Sequence, residues 1–211
     1  MNNVKENPID FLGKYIRIDA PFDMYESQRL CLSHIHRTNK LIIKKNRHVN
    51  GMTTLMAAYS LWNCLFRSKF NIIIVGTSSE SEKFFLHLVH KMYKQLDDGL
   101  TQTRISEYNT TRILFDNGSS VRYVFDKSFD SFEHLGSVSM LIIDEASFIS
   151  NLQKMYTYIC SYLTIDSKVI LVSSPNGDSW FDNLWQDSIN LKHDFIPLKL
   201  GVLNLKKGKG T

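Results

Sequence analysis

Lys44-Lys45-Asn46-Arg47-His48-Val49-Asn50-Gly51-Met52-Thr53-Thr54 separates the apolar run Leu41-Ile42-Ile43 from an amphipathic segment that begins Leu55-Met56-Ala57-Ala58. Strand, polar loop, helix is the setting of a phosphate-binding loop. The spacing agrees: Asn46, four residues, Gly51, one residue, Thr53. Two residue types depart from the usual pattern. Asn46 stands where a glycine normally opens the loop, and Met52 where a lysine normally precedes the hydroxyl residue. Backbone N–H groups around Gly51, at a helix N-terminus, are expected to cradle phosphate oxygens.

Outward from this loop, strands alternate with helices. The spacing predicts a helix over 24–35, a strand over 41–45 and a helix over 53–66. Asn71-Ile72-Ile73-Ile74-Val75-Gly76 reads as a strand buried on both faces of a parallel sheet. Ser78 is placed to cap a helix that reaches about Leu96, with Glu80 and Glu82 in its first turn. Arg112–Phe115 and Ser120–Phe125 flank Asp116-Asn117-Gly118, a hairpin signal. Further strands are expected over 139–143, 168–172 and 194–198, and further helices over 152–163 and 180–189. Residues 1–24 read as polar and irregular, with Pro8 and Pro21 as breakers. The fold class is therefore α/β, a mostly parallel sheet with helices on both faces. The organisation expected is an N-terminal extension over 1–20, one domain over 21–200 and a basic tail over 201–211.

Composition sets the outer bounds. The chain has 211 residues, enough for one large domain, and a net charge of +4, which permits a nucleic-acid partner without requiring one. Cys31, Cys64 and Cys160 are odd in number and lie in apolar surroundings, as buried free thiols of a reducing compartment do. No apolar run is long enough to cross a bilayer and the N-terminus has no signal-peptide pattern, so no membrane contact is expected. His34 and His36, two apart on a helix, point to different faces and make poor joint metal ligands.

In open parallel sheets, ligands bind at the carboxyl ends of strands. Leu141-Ile142-Ile143 runs into Asp144-Glu145 at such an end. The first carboxylate suits Mg²⁺, which prefers oxygen ligands and keeps several waters. The second suits a base that orients and deprotonates an attacking water. Thr53 offers the second metal ligand through its hydroxyl. Ser173-Ser174 closes a third strand end.

Taken in order, Tyr25-x-x-Gln28-Arg29, Arg47 through Thr54, Leu141 through Ile149 and Ser173-Ser174-Pro175-Asn176-Gly177 resemble the ATPase domain of large terminase subunits. These are the motors that package DNA into tailed-phage and herpesvirus capsids. The resemblance spans about residues 20–200 and implies a P-loop NTPase of the RecA/ASCE-like kind, with ATP and Mg²⁺ as cofactors. It implies that Gln28 reads the adenine edge and that Arg47 stabilises charge on the transferred phosphoryl group. It implies that Ser173 and Ser174 sense the γ-phosphate, while Lys45, Asn46, His48, Asn50, Gly51, Met52, Thr53 and Thr54 line the nucleotide. Glu145 is the implied catalytic base, and Thr53 with Asp144 the metal pair.

Met52 cannot neutralise a phosphate, so the cation must come from elsewhere. Some terminases carry the lysine three residues before the loop arginine, and Lys44 has that spacing to Arg47. Successive strand side chains face opposite ways, so only one of Lys44 and Lys45 reaches the phosphates. Lys44 is the expected one. Leu135-Gly136 stands where the family often has Arg-Gly, which removes or moves that arginine. The implied partners are double-stranded DNA, a portal protein, a small terminase subunit and further copies in a ring, in the host-cell cytoplasm. Lys127, Lys154 and the tail lysines are possible phosphate contacts. Family members continue into an RNase H-like nuclease domain with a cluster of metal-binding aspartates, whereas this sequence stops at Thr211, so no nuclease activity is expected from it. Two other readings compete: an assembly module without turnover, supported by Met52 and Asn46, and a helicase-like ATPase, which would need a second domain.

Overall fold

The computed structural model describes residues 3–18, 20–46, 51–125 and 135–201. Expectations that fall on Arg47, His48, Asn50, Lys127 and the tail lysines lie outside the described residues. Chain order is α1 (Asn3–Glu6), α2 (Pro8–Tyr15), α3 (Glu26–Arg37), β1 (Lys40–Lys45), α4 (Met52–Phe66), β2 (Asn71–Gly76) and α5 (Ser79–Lys94). Three strands follow, β3 (Ile105–Tyr108), β4 (Arg112–Phe115) and β5 (Ser120–Phe125), then β6 (Val138–Asp144). A 3-10 turn (Ala146–Phe148) leads to α6 (Leu152–Cys160), β7 (Leu163–Ser173), α7 (Trp180–Ile189) and β8 (Ile196–Leu200).

The strands form one sheet in the order β3-β4-β5-β2-β6-β7-β1-β8. From β5 to β8 every neighbouring pair is parallel, and β3-β4-β5 adds an antiparallel edge. Each face of the sheet has its own core. Leu41 and Ile43 pack with α2, α3, α4 and α5, whereas Ile42 packs with α6 and α7. The central helix α4 is buried along nearly its whole length, Leu55 to Leu65 without a break. This explains its weak amphipathic pattern: it is enclosed by the sheet, α2, α3 and α5.

Local chemistry accounts for the helix ends. Ser78 Oγ accepts the Ser81 N–H (3.2 Å), with Glu80 and Glu82 in the positive first turn of α5. Gly51 precedes α4 with φ +76°, and a Cβ there would sit 2.5 Å from Gln28 Nε2, so only glycine suits this position.

The N-terminal segment departs from its irregular reading. Pro8 opens α2 at its first turn, where the missing N–H costs nothing, and Asn7 Oδ1 caps it by accepting the Ile9 N–H (3.0 Å). Phe11 and Leu12 are fully buried, and Trp62 Nε1 of α4 donates to the Val4 carbonyl (2.8 Å). Val4, Phe11, Leu12 and Ile16 thus pack into the core. Strand β3 is also additional, and β7 begins five residues earlier than expected, at Leu163 rather than Lys168.

Candidate nucleotide site

The sheet sets β6, β7 and β1 side by side, all parallel, so Asp144, Ser173 and Lys45 end at one edge. The N-terminus of α4 lies over the same edge. There the Thr53 hydroxyl donates to Asp144 Oδ2 at 2.7 Å. Asp144 is buried, and burial is the main reason its carboxyl pKa is raised, with the neighbouring Glu145 charge adding to it. Thr53, Lys45 and the Glu145 N–H act the other way. A buried carboxylate and a hydroxyl form a pair of hard oxygen donors. That fits Mg²⁺, which takes one or two protein oxygens and completes its shell with water and phosphate.

Glu145 follows directly with φ +53°, left-handed and uncommon for a residue with a Cβ. Such a conformation costs about 1–2 kcal/mol and is held only where the surroundings demand it. It turns the chain sharply out of β6, and the Glu145 side chain lies in a cleft of about 450 Å³ lined by Lys45, Thr77, Phe148 and Ser174. Lys45 Nζ donates to Glu145 Oε1 at 2.8 Å. The lysine side chain is 9% exposed and the glutamate side chain 38%, so the cation is sheltered while its partner reaches solvent.

The two lysines are placed on opposite faces of the sheet. Lys45 shares a sheet face with Leu41, Ile43 and α4, and meets the Asp144-Glu145 turn. Lys44 points through the other face, where Nζ lies 3.4 Å from Asp182 Oδ1 of α7 and 5.7 Å from the Trp185 ring centre. Alternation along a strand makes the two placements exclusive.

Other expected residues fall as follows. The Met52 side chain is packed into the core, which leaves only its backbone N–H for a ligand. The first N–H groups of α4 have no partner within the helix, as at any helix start. The Asn46 N–H is already used by the Leu200 carbonyl (3.1 Å), so it is not among the donors of the loop. Gln28 is 1% exposed, with Oε1 accepting the Tyr25 N–H (2.9 Å) and Nε2 donating to the Gly51 carbonyl (3.0 Å). It ties the start of α3 to the loop end at Gly51. Ser173 Oγ is buried, accepts the Ser147 N–H (3.0 Å) and donates to the Ser174 carbonyl (2.9 Å). Ser174 lines the cleft. Thr54 is half-buried on α4, one residue beyond Thr53. Asp182 and Thr77 were not singled out from the sequence. The lysine pair held a signal for Asp182, since a half-buried lysine on the second face needs an acid there.

A parallel sheet with a phosphate-type loop on one strand, an Asp-Glu pair on a second and a polar strand end between them defines an ASCE-like ATPase fold. The chain belongs to the family described as terminase large subunit, T4likevirus-type, N-terminal, whose model matches residues 50–200. Its fold is shared with the ATPase domains of phage large terminases. The HK97 bacteriophage large terminase superposes with a TM-score of 0.76 at 15% identity, over 93% of this chain and 43% of that one. The large terminase ATPase domain of Thermus phage P74-26 gives 0.60 at 15% identity, over 77% and 69%. A large terminase from a thermophilic bacteriophage, in complex with ADP, gives 0.61 at 14% identity, over 84% and 45%. The chain thus spans less than half of the HK97 relative. Among the described residues, no helix is long and apolar enough to cross a membrane.

Proposed function

We propose that this domain hydrolyses ATP with Mg²⁺ and that hydrolysis drives double-stranded DNA into a viral procapsid. The observation that carries the reading is the convergence of Thr53, Asp144, Glu145 and Lys45 at one sheet edge. Thr53 and Asp144 would hold the metal, which when bound supplies charge neutralisation on the phosphate oxygens. The N–H groups at the start of α4 orient the phosphates. Lys45 replaces the cation missing at Met52. Glu145 accepts the proton of a water as its oxygen bonds to the γ-phosphorus and the bond to the ADP oxygen breaks. Arg47 stabilises the equatorial charge. ADP in a relative's complex supports the ligand class.

The partners follow from the family: a portal protein, a small terminase subunit and further copies of this chain in a ring, within the host-cell cytoplasm. DNA would be held through phosphates, and binding would weaken with salt. The test is phosphate release with and without duplex DNA, for wild type and Glu145→Gln. Wild-type turnover that the substitution abolishes supports the reading. ATP binding without turnover, even with portal and DNA, would make the domain an assembly module.

A further inference from the structure

The terminal residues of β1 point two ways, and only one of the two directions enters the nucleotide cleft. On the far face, one carboxylate gathers three partners. Asp182 Oδ1 faces Lys44 Nζ at 3.4 Å, while Oδ2 accepts the Ser179 hydroxyl at 2.7 Å and the Asn176 N–H at 3.4 Å. Asn176 lies in the segment 173–177 that leaves β7, and its Nδ2 also donates to the Ser147 carbonyl at 3.3 Å. Ser147, two residues beyond Glu145, gives its N–H to Ser173 Oγ at 3.0 Å. The segment is therefore tied on one side to the Glu145 turn and on the other, through Asp182, to β1.

We propose that Lys44 and Asp182 are positioning residues that make segment 173–177 and α7 respond to what Lys45 holds. The inference rests on the reading of Lys45 as a phosphate ligand. Lys45 and Lys44 are adjacent in one strand, so an ammonium drawn from Glu145 towards a phosphate shifts the backbone that also carries Lys44. The Lys44–Asp182 contact is sensitive to such a shift because it is long. At 3.4 Å it lies beyond the usual 2.7–3.2 Å of an N–H···O bond, so a small movement of Lys44 decides whether the hydrogen bond is made at all. Its surroundings are sheltered, with side chains 22% and 10% exposed, so water does not level the change. The same carboxylate then passes the displacement to the Asn176 N–H through its second oxygen. Trp185, 5.7 Å from Lys44 Nζ, sits close enough to register it.

That proximity supplies the readout. Tryptophan emission is recorded during titration with ADP and with ATPγS, and Trp185→Phe defines the share that belongs to Trp185. Nucleotide affinity is measured separately by equilibrium dialysis. The Trp185 response is expected in wild type and absent in Lys44→Met and in Asp182→Asn, with ADP affinity kept within about three-fold, while DNA-stimulated kcat falls about ten-fold at unchanged KM. Lys44→Arg, which keeps the charge, is expected to restore the response. Lys44→Met/Asp182→Asn removes both charges at similar volume, so it separates signalling from folding and is expected to be silent as well. A Trp185 response that survives in Lys44→Met overturns the proposal, as does a rise in KM equal to that of Lys45→Met. Wild type that binds ADP while Trp185 stays silent sinks this inference alone. Wild type that binds no nucleotide sinks the nucleotide reading and the inference with it.

Discussion

Two buried lysines sit near opposite edges of the parallel strands, and their partners differ in kind. Lys168 of β7 donates to three backbone carbonyls at the end of α3: Ile35 (3.0 Å), His36 (3.1 Å) and Thr38 (2.8 Å). Those oxygens have no partner within the helix and carry its negative pole, so the ammonium both caps the helix and neutralises it. Burial, and then Arg67 nearby, lowers the Lys168 pKa. Lys45 of β1 has one side-chain acceptor among the described residues, Glu145 at 2.8 Å, and that acceptor reaches solvent. An ammonium has three donors. All three are committed to backbone at Lys168, whereas Lys45 keeps donors for a ligand and can exchange the acceptor it has. The first arrangement builds a fold; the second suits a site.

The largest effect expected from this contrast is on rate. Glu145→Gln keeps the size of the side chain and removes the carboxylate proposed as the base, so kcat should fall roughly 10²–10⁴-fold with the protein fully folded. Phosphate release in single turnover measures it, and an unchanged rate would remove Glu145 from the chemistry. Lys45→Met should come next, at about 10²–10³-fold, the scale of losing a preorganised charged donor. Because the substitution also frees Glu145, ADP affinity is the sharper control: it should weaken as the rate falls. If Lys44→Met costs more than Lys45→Met, the assignment of the two faces is reversed.

Lys168→Met should do the opposite. It leaves three carbonyls without their donor and is expected to cost about 3 kcal/mol of stability, on the scale of buried polar groups stripped of partners. For a domain of this size that lowers Tm by roughly 6–12 °C. ATPase activity per folded molecule should not change. A fall in kcat at a temperature where the variant is folded would show that the α3 end is coupled to the site.

Why the site was legible in outline and not in its cation follows from β1 itself. Asp144, Glu145 and Thr53 could be placed because a strand end and a helix start leave a clear change from apolar to polar residues. Lys44 and Lys45 could not be ordered in the same way. Leu41, Ile42 and Ile43 are buried on both faces of the sheet, so the run has no alternation to say which face meets α4. The register with β7 and β8 decides it, and register is a property of the assembled sheet. The hydrogen bonds of Gln28 were hidden for a related reason. Its residue type suggested a base, and only the fold shows that the Tyr25 N–H and the Gly51 carbonyl bond its amide. Helix α2 was lost because Pro8 reads as a breaker unless the Asn7 cap before it is recognised. Strand β3 was lost because Ile105-Ser106-Glu107-Tyr108 is a half-exposed edge strand with little apolar content.

The smallest effect concerns pH and arises beside Lys168. His36 is half-buried, its Nδ1 has no hydrogen-bond partner among the described residues, and its ring meets Trp62 edge-on at 5.5 Å. Burial, and then the charges of Lys168, Arg67 and Arg37, lowers its pKa below 6.5. As pH falls through 6.5 the unfolded chain takes up a proton that the folded chain refuses, so stability falls with acid until the folded pKa is passed. His90, lowered by burial and then by Lys94 and His87, contributes with the same sign. Urea midpoints between pH 7.5 and 5.5 should therefore decline in wild type and decline less in His36→Phe. In Lys168→Met the slope should also shrink, because the cation that opposes protonation has gone, even though the variant is less stable at every pH. A slope that His36→Phe leaves untouched would place the acid sensitivity elsewhere. A slope that Lys168→Met steepens would mean that the lysine's contribution at this end of the sheet is packing and not charge.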